Sequence, residues 1–486
     1  MPIALVCVAG AALRFATLDG QSLWFDEAVT AQLLRMNLPD MLSAIPDSES
    51  TPPLYYVLGW LWSQVAGTGE VGLRSLTALL GTATIPVVWA LARRLGGDRA
   101  ALAAAALTAV NPMLVWFSQE ARAYALLGLV AAAAALLWLR ALEQPRPARL
   151  LAWGAVAALA LATHYYAIFL VGPQALWLLA RAPTLRARAI ALALPLAAGA
   201  ALAPLALGQR SNDSAAFIGE SGLDRRLAQV VKQFLVGYDA PAEKLLAVVS
   251  ALVLLTAAAG LVRLLRDHAG VPPRARDDAM RLLVVADAAV LVPALLALAG
   301  EDHVVTRNVV AALPLAAALA GAGLAAVPSP AAIAATATAC ALALVAVIGV
   351  ATDPALQRDD WRGAARALGP PPPSQTRIVV ASPAALVPLR YYLPRLHPFG
   401  ALPVTTAQID YLALAPRRGS GRGTPPRPPS DDLLVPAFTV AGRSESETFT
   451  VVRMRATEPR PILAGLLSSG LDGDRSELLK QLPGQT

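Results

Sequence analysis

Apolar positions along this chain come in long runs separated by short polar breaks. Runs long enough to cross a bilayer lie at about 2–18, 72–92, 100–117, 122–139, 150–163, 166–180, 189–207, 244–262, 282–299, 308–327 and 331–351. The 150–180 region reads as two spans broken at Thr163-His164-Tyr165-Tyr166, because a single span would disturb the alternation of the loops. One set of loops holds Arg93, Arg94 and Arg99, then Arg140, Arg146 and Arg149, then Arg181, Arg186 and Arg188, then Arg263, Arg266, Arg274, Arg276 and Arg281. Basic loops stay on the cytoplasmic side, so the other set (19–71, 118–121, the His164 turn, 208–243 and 300–307) is expected outside. About eleven spans then put the N-terminus inside and everything after 351 outside. The first run reads as a span and not a cleaved signal, since it has no basic leading segment and its small residues are followed by Arg14.

The pattern changes at about residue 352. Residues 359–366 and 383–392 read as helices, and 377–380, 409–414 and 448–453 as strands. A small outer α/β domain over 352–456 is expected. A Pro-, Gly- and Arg-rich loop at 416–431 interrupts it, and a poorly ordered tail over 457–486 follows it. The fold class is therefore mainly α: a polytopic helix bundle, 1–351, with a small C-terminal α/β domain. Within the bundle, the outer loop 19–71 is expected to carry an amphipathic helix over 26–36 lying in the interface. The outer loop 208–243 is expected to be a mobile cover.

Composition agrees with the pattern. Of 486 residues, 56% are hydrophobic and 15% charged, and the mean hydropathy is +0.55. A soluble chain would carry about 25% charge. The net charge of +7 resides largely in Arg of short loops, which is topology information and not a nucleic-acid footprint. Cys7 and Cys340 sit alone in apolar runs, so neither a disulfide nor a metal site is read from them. No GxGxxG, P-loop, CxxC or HExxH pattern occurs, which removes support for nucleotide, redox and zinc-protease chemistry.

The polar groups that remain lie on the expected outer face. Ser22-Leu23-Trp24-Phe25-Asp26-Glu27-Ala28 sets two carboxylates behind two aromatics at the membrane surface. Desolvation there raises a carboxylate's pKa and suits it to accept a proton, although acids in a first helical turn also favour the helix dipole. Glu120 and Arg122 adjoin apolar helix ends within Ser118-Gln119-Glu120-Ala121-Arg122-Ala123-Tyr124. Arg307 follows Glu301-Asp302-His303 and enters an apolar run against the charge bias. It can snorkel to the surface or grip a phosphate in a bidentate fork. His164 can serve as ligand, donor or plain loop residue.

Taken in order, Arg14, Ser22 to Ala28, Pro52-Pro53-Leu54-Tyr55-Tyr56, Arg74, Ser118 to Tyr124 and Thr163 to Tyr166 resemble the bacterial GT-C glycosyltransferases. The group meant is the protein O-mannosyltransferase and aminoarabinose-transferase-like superfamily, glycosyltransferase families 39 and 83. Arg307 with Pro314 fits less specifically. The outer domain matches loosely, through Asp360-Trp361-Arg362 and Arg390-Tyr391-Tyr392. Thr51 stands where many relatives carry His before Pro-Pro.

The resemblance implies a multi-pass enzyme of the inner membrane. Its donor would be a polyprenyl-phosphate-linked sugar, hexosyl or pentosyl and mannose-like. Its acceptor would be a glycan, lipid or protein on the outer face. Asp26 would be the general base of an inverting displacement, with Glu27 orienting it. Arg122 and Arg307 would hold the donor phosphate. Glu120, Tyr124, His164, Tyr165, Tyr55 and His303 are substrate-contact candidates. No metal or other cofactor is implied. Two other readings share the lipid chemistry without the base: a flippase or transporter of lipid-linked sugars, and a non-catalytic subunit of an envelope assembly.

Overall fold

The computed structural model describes residues 2–210, 218, 221–266, 272–382, 384–415, 435, 437–468 and 477–483. The chain divides into two compact units, Met1–Leu18 with Leu33–Ile348, and Asp19–Gln32 with Gly349–Thr486. Its helices run, in order, α1 (Pro2–Phe15), α2 (Phe25–Leu34), α3 (Leu38–Ser48), α4 (Leu54–Ala66), α5 (Glu70–Val110), α6 (Pro112–Ser118), α7 (Tyr124–Glu143), α8 (Pro147–Thr163), α9 (Ile168–Arg181), α10 (Leu185–Gln209), α11 (Leu223–Val236), α12 (Glu243–Arg266), α13 (Pro273–Leu298), α14 (Ala312–Ala325) and α15 (Ser329–Thr352). After these come α16 (Trp361–Leu368), α17 (Leu386–Tyr392) and α18 (Ala464–Ser468).

The eleven apolar runs all fall on helix, and the protein is a multi-pass helical bundle. Among the described residues six helices are long and apolar enough to cross a membrane unaided: α5, α7, α10, α12, α13 and α15. The two runs at 72–92 and 100–117 are joined through α5, which breaks at Gly96-Gly97. Gly97 has φ +73°, a left-handed conformation that a side chain resists. The 150–180 region is two helices, α8 and α9, with His164 in the turn between them.

Without water, helices in a bilayer hold together by close contact and by polar groups that satisfy each other. At α14 the contact is through small residues. A Cβ on Gly323 would lie 2.0 Å from the Ala257 carbonyl oxygen of α12, and one on Gly321 would lie 2.6 Å from the Ala100 carbonyl oxygen of α5. Arg14, fully buried in α1, donates to Ser118 Oγ (3.1 Å) and to the carbonyls of Gly10 (3.0 Å), Ala109 (2.7 Å) and Thr108 (3.1 Å). That one guanidinium ties α1 to α5 and α6. At the opposite set of loops, buried Asp278 takes Arg94 (2.8 Å) and Arg281 (3.2 Å), while Glu143 takes Arg94 (3.2 Å) and Arg274 (2.5 Å).

The second unit is a six-stranded sheet of order β2-β6-β1-β3-β5-β4. Its strands are β1 (Arg377–Ala381), β2 (Leu396–Pro398), β3 (Val404–Leu414), β4 (Thr439–Glu445), β5 (Phe449–Ile462) and β6 (Glu477–Gln481). β1 and β3 are parallel, pairing Ile378 with Ile409, and the remaining pairings are antiparallel. Both faces of β1 are covered, which is why it reads as a continuous apolar run. Val379 and Ala381 pack with Trp361, Leu368 and Leu389 of α16 and α17, and Ile378 and Val380 pack with Ile409, Val452 and Phe438. Buried Asp410 bridges Arg377 (3.1 Å) and Arg453 (2.9 Å) across three strands.

Two expectations need correction. The 457–486 stretch is not simply a tail. β5 runs to Ile462, and β6 lies inside the sheet between β2 and β1. Five residues of weak pattern become a strand because both of their edges find partners. Residues 19–32 cluster with the C-terminal domain and not with the rest of the 19–71 loop. The 208–243 segment contains a regular helix, α11, with Arg226, Val230 and Val236 buried. Its Ser211, Asn212 and Asp213, like the whole 416–431 loop, lie outside the described residues.

Candidate active site

The Ser118 to Tyr124 motif is built from the inside of the first unit. Ser118 Oγ accepts from Arg14, and Thr77 Oγ1 donates to the Ser118 carbonyl (3.1 Å). Gly81 leaves room for this, since a Cβ there would fall 1.9 Å from Ser118 Oγ. Gln119 Nε2 donates to Thr17 Oγ1 (2.8 Å) and to the carbonyls of Leu13 (3.0 Å) and Arg14 (3.2 Å), closing the end of α1. Glu120 and Arg122 follow, both buried.

Arg122 faces Glu49. Its Nη1 donates to Oε1 (2.7 Å) and its Nη2 to Oε2 (2.8 Å), with side-chain exposures of 7% and 3%. Glu49 caps the C-terminus of α3, and its own N–H donates to the Ile45 carbonyl. The Tyr56 hydroxyl of α4 stands 3.2 Å from Thr51 Oγ1. The Tyr56 ring lies 5.9 Å below the Arg122 guanidinium. Fork geometry on both sides and a π face beneath hold the Arg122 guanidinium in a fixed orientation. Glu49 is the residue that sequence reasoning missed. Its one signal is position, three residues before Pro52-Pro53 in a polar run that reads as solvated.

His164 of the same unit is also buried. Its Nδ1 accepts the Tyr166 N–H (3.1 Å), so a neutral ring carries its proton on Nε2. Burial, aided by the charges of Arg307 and Arg122, holds the imidazole neutral, its pKa pressed down to about 3. Arg122 and Arg307, 185 positions apart in sequence, thus act electrostatically on one side chain. The Tyr124 ring packs at a tilt against those of Phe117 (4.7 Å) and His164 (6.1 Å). Tyr165 donates its hydroxyl to Gln209 Oε1 (2.6 Å), and partial burial pushes the phenol up to about 12. Tyr55 is buried edge-on against Tyr56 (5.6 Å). His303 is exposed, and its carbonyl accepts from Asn308 Nδ2 (2.8 Å). Its neighbour Asp302 pairs with Arg226, which also donates to the Val304 carbonyl (2.8 Å).

Asp26 and Glu27 belong to the second unit, on the first turn of α2. Successive side chains on a helix point about 100° apart, and here they separate: Glu27 is completely buried, whereas Asp26 is partly exposed. The Asp26 carbonyl accepts from Thr30 Oγ1 (3.0 Å).

Comparison with known proteins fits this anatomy. Residues 50–206, which include Arg122 and His164, match the family model described as dolichyl-phosphate-mannose-protein mannosyltransferase. No curated protein matched the sequence. Among solved structures, ArnT from Cupriavidus metallidurans in the apo state aligns with a TM-score of 0.56 at 15% identity, over 93% of this chain and 97% of that one. The arabinosyltransferase EmbB from Mycobacterium smegmatis aligns at 0.48 and 13% identity, over 99% of this chain and 64% of its own, too distant to carry an argument. The chain is thus a multi-pass membrane protein of the GT-C fold, with a segment similar to the dolichyl-phosphate-mannose-protein mannosyltransferases.

Proposed function

We propose that the protein is a membrane glycosyltransferase. It takes a hexosyl or pentosyl group from a polyprenyl-phosphate-linked donor and passes it, with inversion, to a glycan, lipid or protein acceptor on the extracytoplasmic face of the inner membrane. The observation that carries the reading is the match of residues 50–206 to a mannosyltransferase family named for a lipid-phosphate sugar. That segment contains the buried cation Arg122 and the neutral donor His164.

Asp26 is the base in this scheme. It removes the proton of the acceptor hydroxyl or amine as that atom bonds to the anomeric carbon. The bond from that carbon to the phosphate oxygen breaks on the opposite side, and its electron pair leaves with the polyprenyl phosphate. Negative charge grows on that phosphate, and pre-placed cations are worth most where charge develops. Arg122 and Arg307 supply them, and the Nε2 proton of His164 adds a neutral donor. The partial exposure of Asp26 supports its choice over buried Glu27, which orients the turn. Glu120 contributes a further acidic contact to sugar or acceptor.

The test is a turnover assay with purified protein and a defined polyprenyl-phosphate sugar, following release of polyprenyl phosphate and the anomeric configuration of the product. Release with an inverted product supports the reading. Movement of intact donor across a vesicle bilayer without release would replace it with transport.

A further inference from the structure

Immediately before Asp26 the chain is fastened at successive positions, all within the second unit. The Asp19 carbonyl accepts from Arg362 Nη2 (2.7 Å). Gln21 Oε1 accepts the Arg358 N–H (2.9 Å). Ser22 Oγ donates to the Asp359 carbonyl (2.6 Å) and accepts the Trp361 N–H (3.0 Å). The Leu23 N–H donates to the Tyr392 hydroxyl (2.8 Å), and the Leu23 side chain is fully buried. Trp361 opens α16, so Ser22 satisfies one of the N–H groups that a helix start leaves without an internal partner. This fastening reaches Leu23, and α2, with Asp26 in its first turn, begins at Phe25; near its far end Gln32 Nε2 donates to the Val387 carbonyl (3.5 Å).

Two features make this more than packing. α2 is only 10 residues long, too short to hold its own direction. The arrangement also keeps two buried indole N–H groups, Trp24 Nε1 and Trp361 Nε1, without acceptors among the described residues. Such groups are destabilising, and costs of that kind persist where function requires the geometry.

We infer that Ser22 and Tyr392 are positioning residues: through them the C-terminal domain fixes the start of α2 and so aims the Asp26 carboxylate. The inference rests on the reading of Asp26 as base. It gives the C-terminal sheet a task in the reaction, and it accounts for the Asp-Trp-Arg and Arg-Tyr-Tyr triplets at 360–362 and 390–392.

The experiment compares Tyr392→Phe, Ser22→Ala, Ser22→Thr and Asp26→Asn with wild type in the purified full-length enzyme. Thr406→Val is the matched control. Its hydroxyl donates to the Thr376 carbonyl (2.7 Å) and accepts the Gln408 N–H (3.0 Å) in the same domain, so its loss costs comparable bonds away from α2. Misplacing a catalytic group by about 1 Å costs up to about 100-fold. Tyr392→Phe and Ser22→Ala are expected to lower kcat about 10- to 100-fold with donor KM changed less than about twofold, and Ser22→Thr to restore most of kcat. Thr406→Val is expected to lower the unfolding temperature comparably and leave kcat alone. Wild-type kcat in Tyr392→Phe and Ser22→Ala, beside an inactive Asp26→Asn, overturns the positioning role and leaves the base intact. An equal fall in kcat in Thr406→Val overturns it in favour of general stability. An active Asp26→Asn overturns the base itself, and the positioning role with it.

Discussion

The Glu49–Arg122 pair gives a quantitative test of how the first unit is built. Both carboxylate oxygens and both terminal guanidinium nitrogens are engaged at 2.7 and 2.8 Å, with almost no exposure on either side. Glu49→Leu would leave a buried guanidinium without its counter-charge. Such a break costs about 3–5 kcal/mol, whereas an exposed pair costs at most about 1 kcal/mol. Arg122→Met is expected to cost a similar amount for the mirrored reason. The double variant removes both charges together, and replacing a buried pair by apolar groups ranges from neutral to about 1–4 kcal/mol stabilising. The Tyr56 hydroxyl keeps Thr51 as a partner in all three proteins. The double variant should therefore unfold near wild type, well above either single variant. The assay is thermal unfolding of purified protein in detergent, followed by helical circular dichroism, with turnover measured in parallel. The double variant should be stable but devoid of turnover, since in the proposed mechanism the phosphate has lost a cation. Glu49→Leu within about 1 kcal/mol of wild type, or a double variant as unstable as the sum of the singles, would refute the pairing argument.

Further expectations concern charge. Arg307→Lys keeps the charge and loses the fork, so turnover should fall while the protein stays folded, as donor titration and unfolding together would show. Arg226 holds the Asp302 carboxyl below its ordinary value. A depressed carboxylate stabilises the fold above its unfolded value of about 4, and that contribution disappears as pH falls through the folded value. Arg226→Gln should therefore be less stable than wild type at neutral pH, and the gap should close on acidification, which unfolding series between pH 7 and 3 would check.

Much of the bundle was legible in the sequence because a bilayer imposes a simple demand. Every backbone group must be satisfied internally over about 20 apolar residues, and that leaves a visible run. The break at Thr163-His164-Tyr165-Tyr166 was legible for the same reason, as a polar interruption where a continuous span would be apolar. Glu49 was not legible. It sits in Asp47-Ser48-Glu49-Ser50, which reads as solvated, and its partner lies 73 positions away. β6 was hidden similarly, since a short strand is recognised by its pairing and not by its own pattern. The Asp360-Trp361-Arg362 and Arg390-Tyr391-Tyr392 triplets were visible as family-like, but their attachment to Ser22 and Leu23 spans more than 330 positions and emerges only in three dimensions.

The central claim is that Asp26 removes the acceptor proton, and Asp26→Asn tests it most directly. The amide keeps the shape and hydrogen bonding of the acid and loses its basicity. Turnover with purified polyprenyl-phosphate sugar should fall about 10²- to 10⁴-fold, the range general-base catalysis supplies, while donor binding stays within about twofold of wild type. Near-normal turnover in Asp26→Asn, with donor binding intact, would contradict the account.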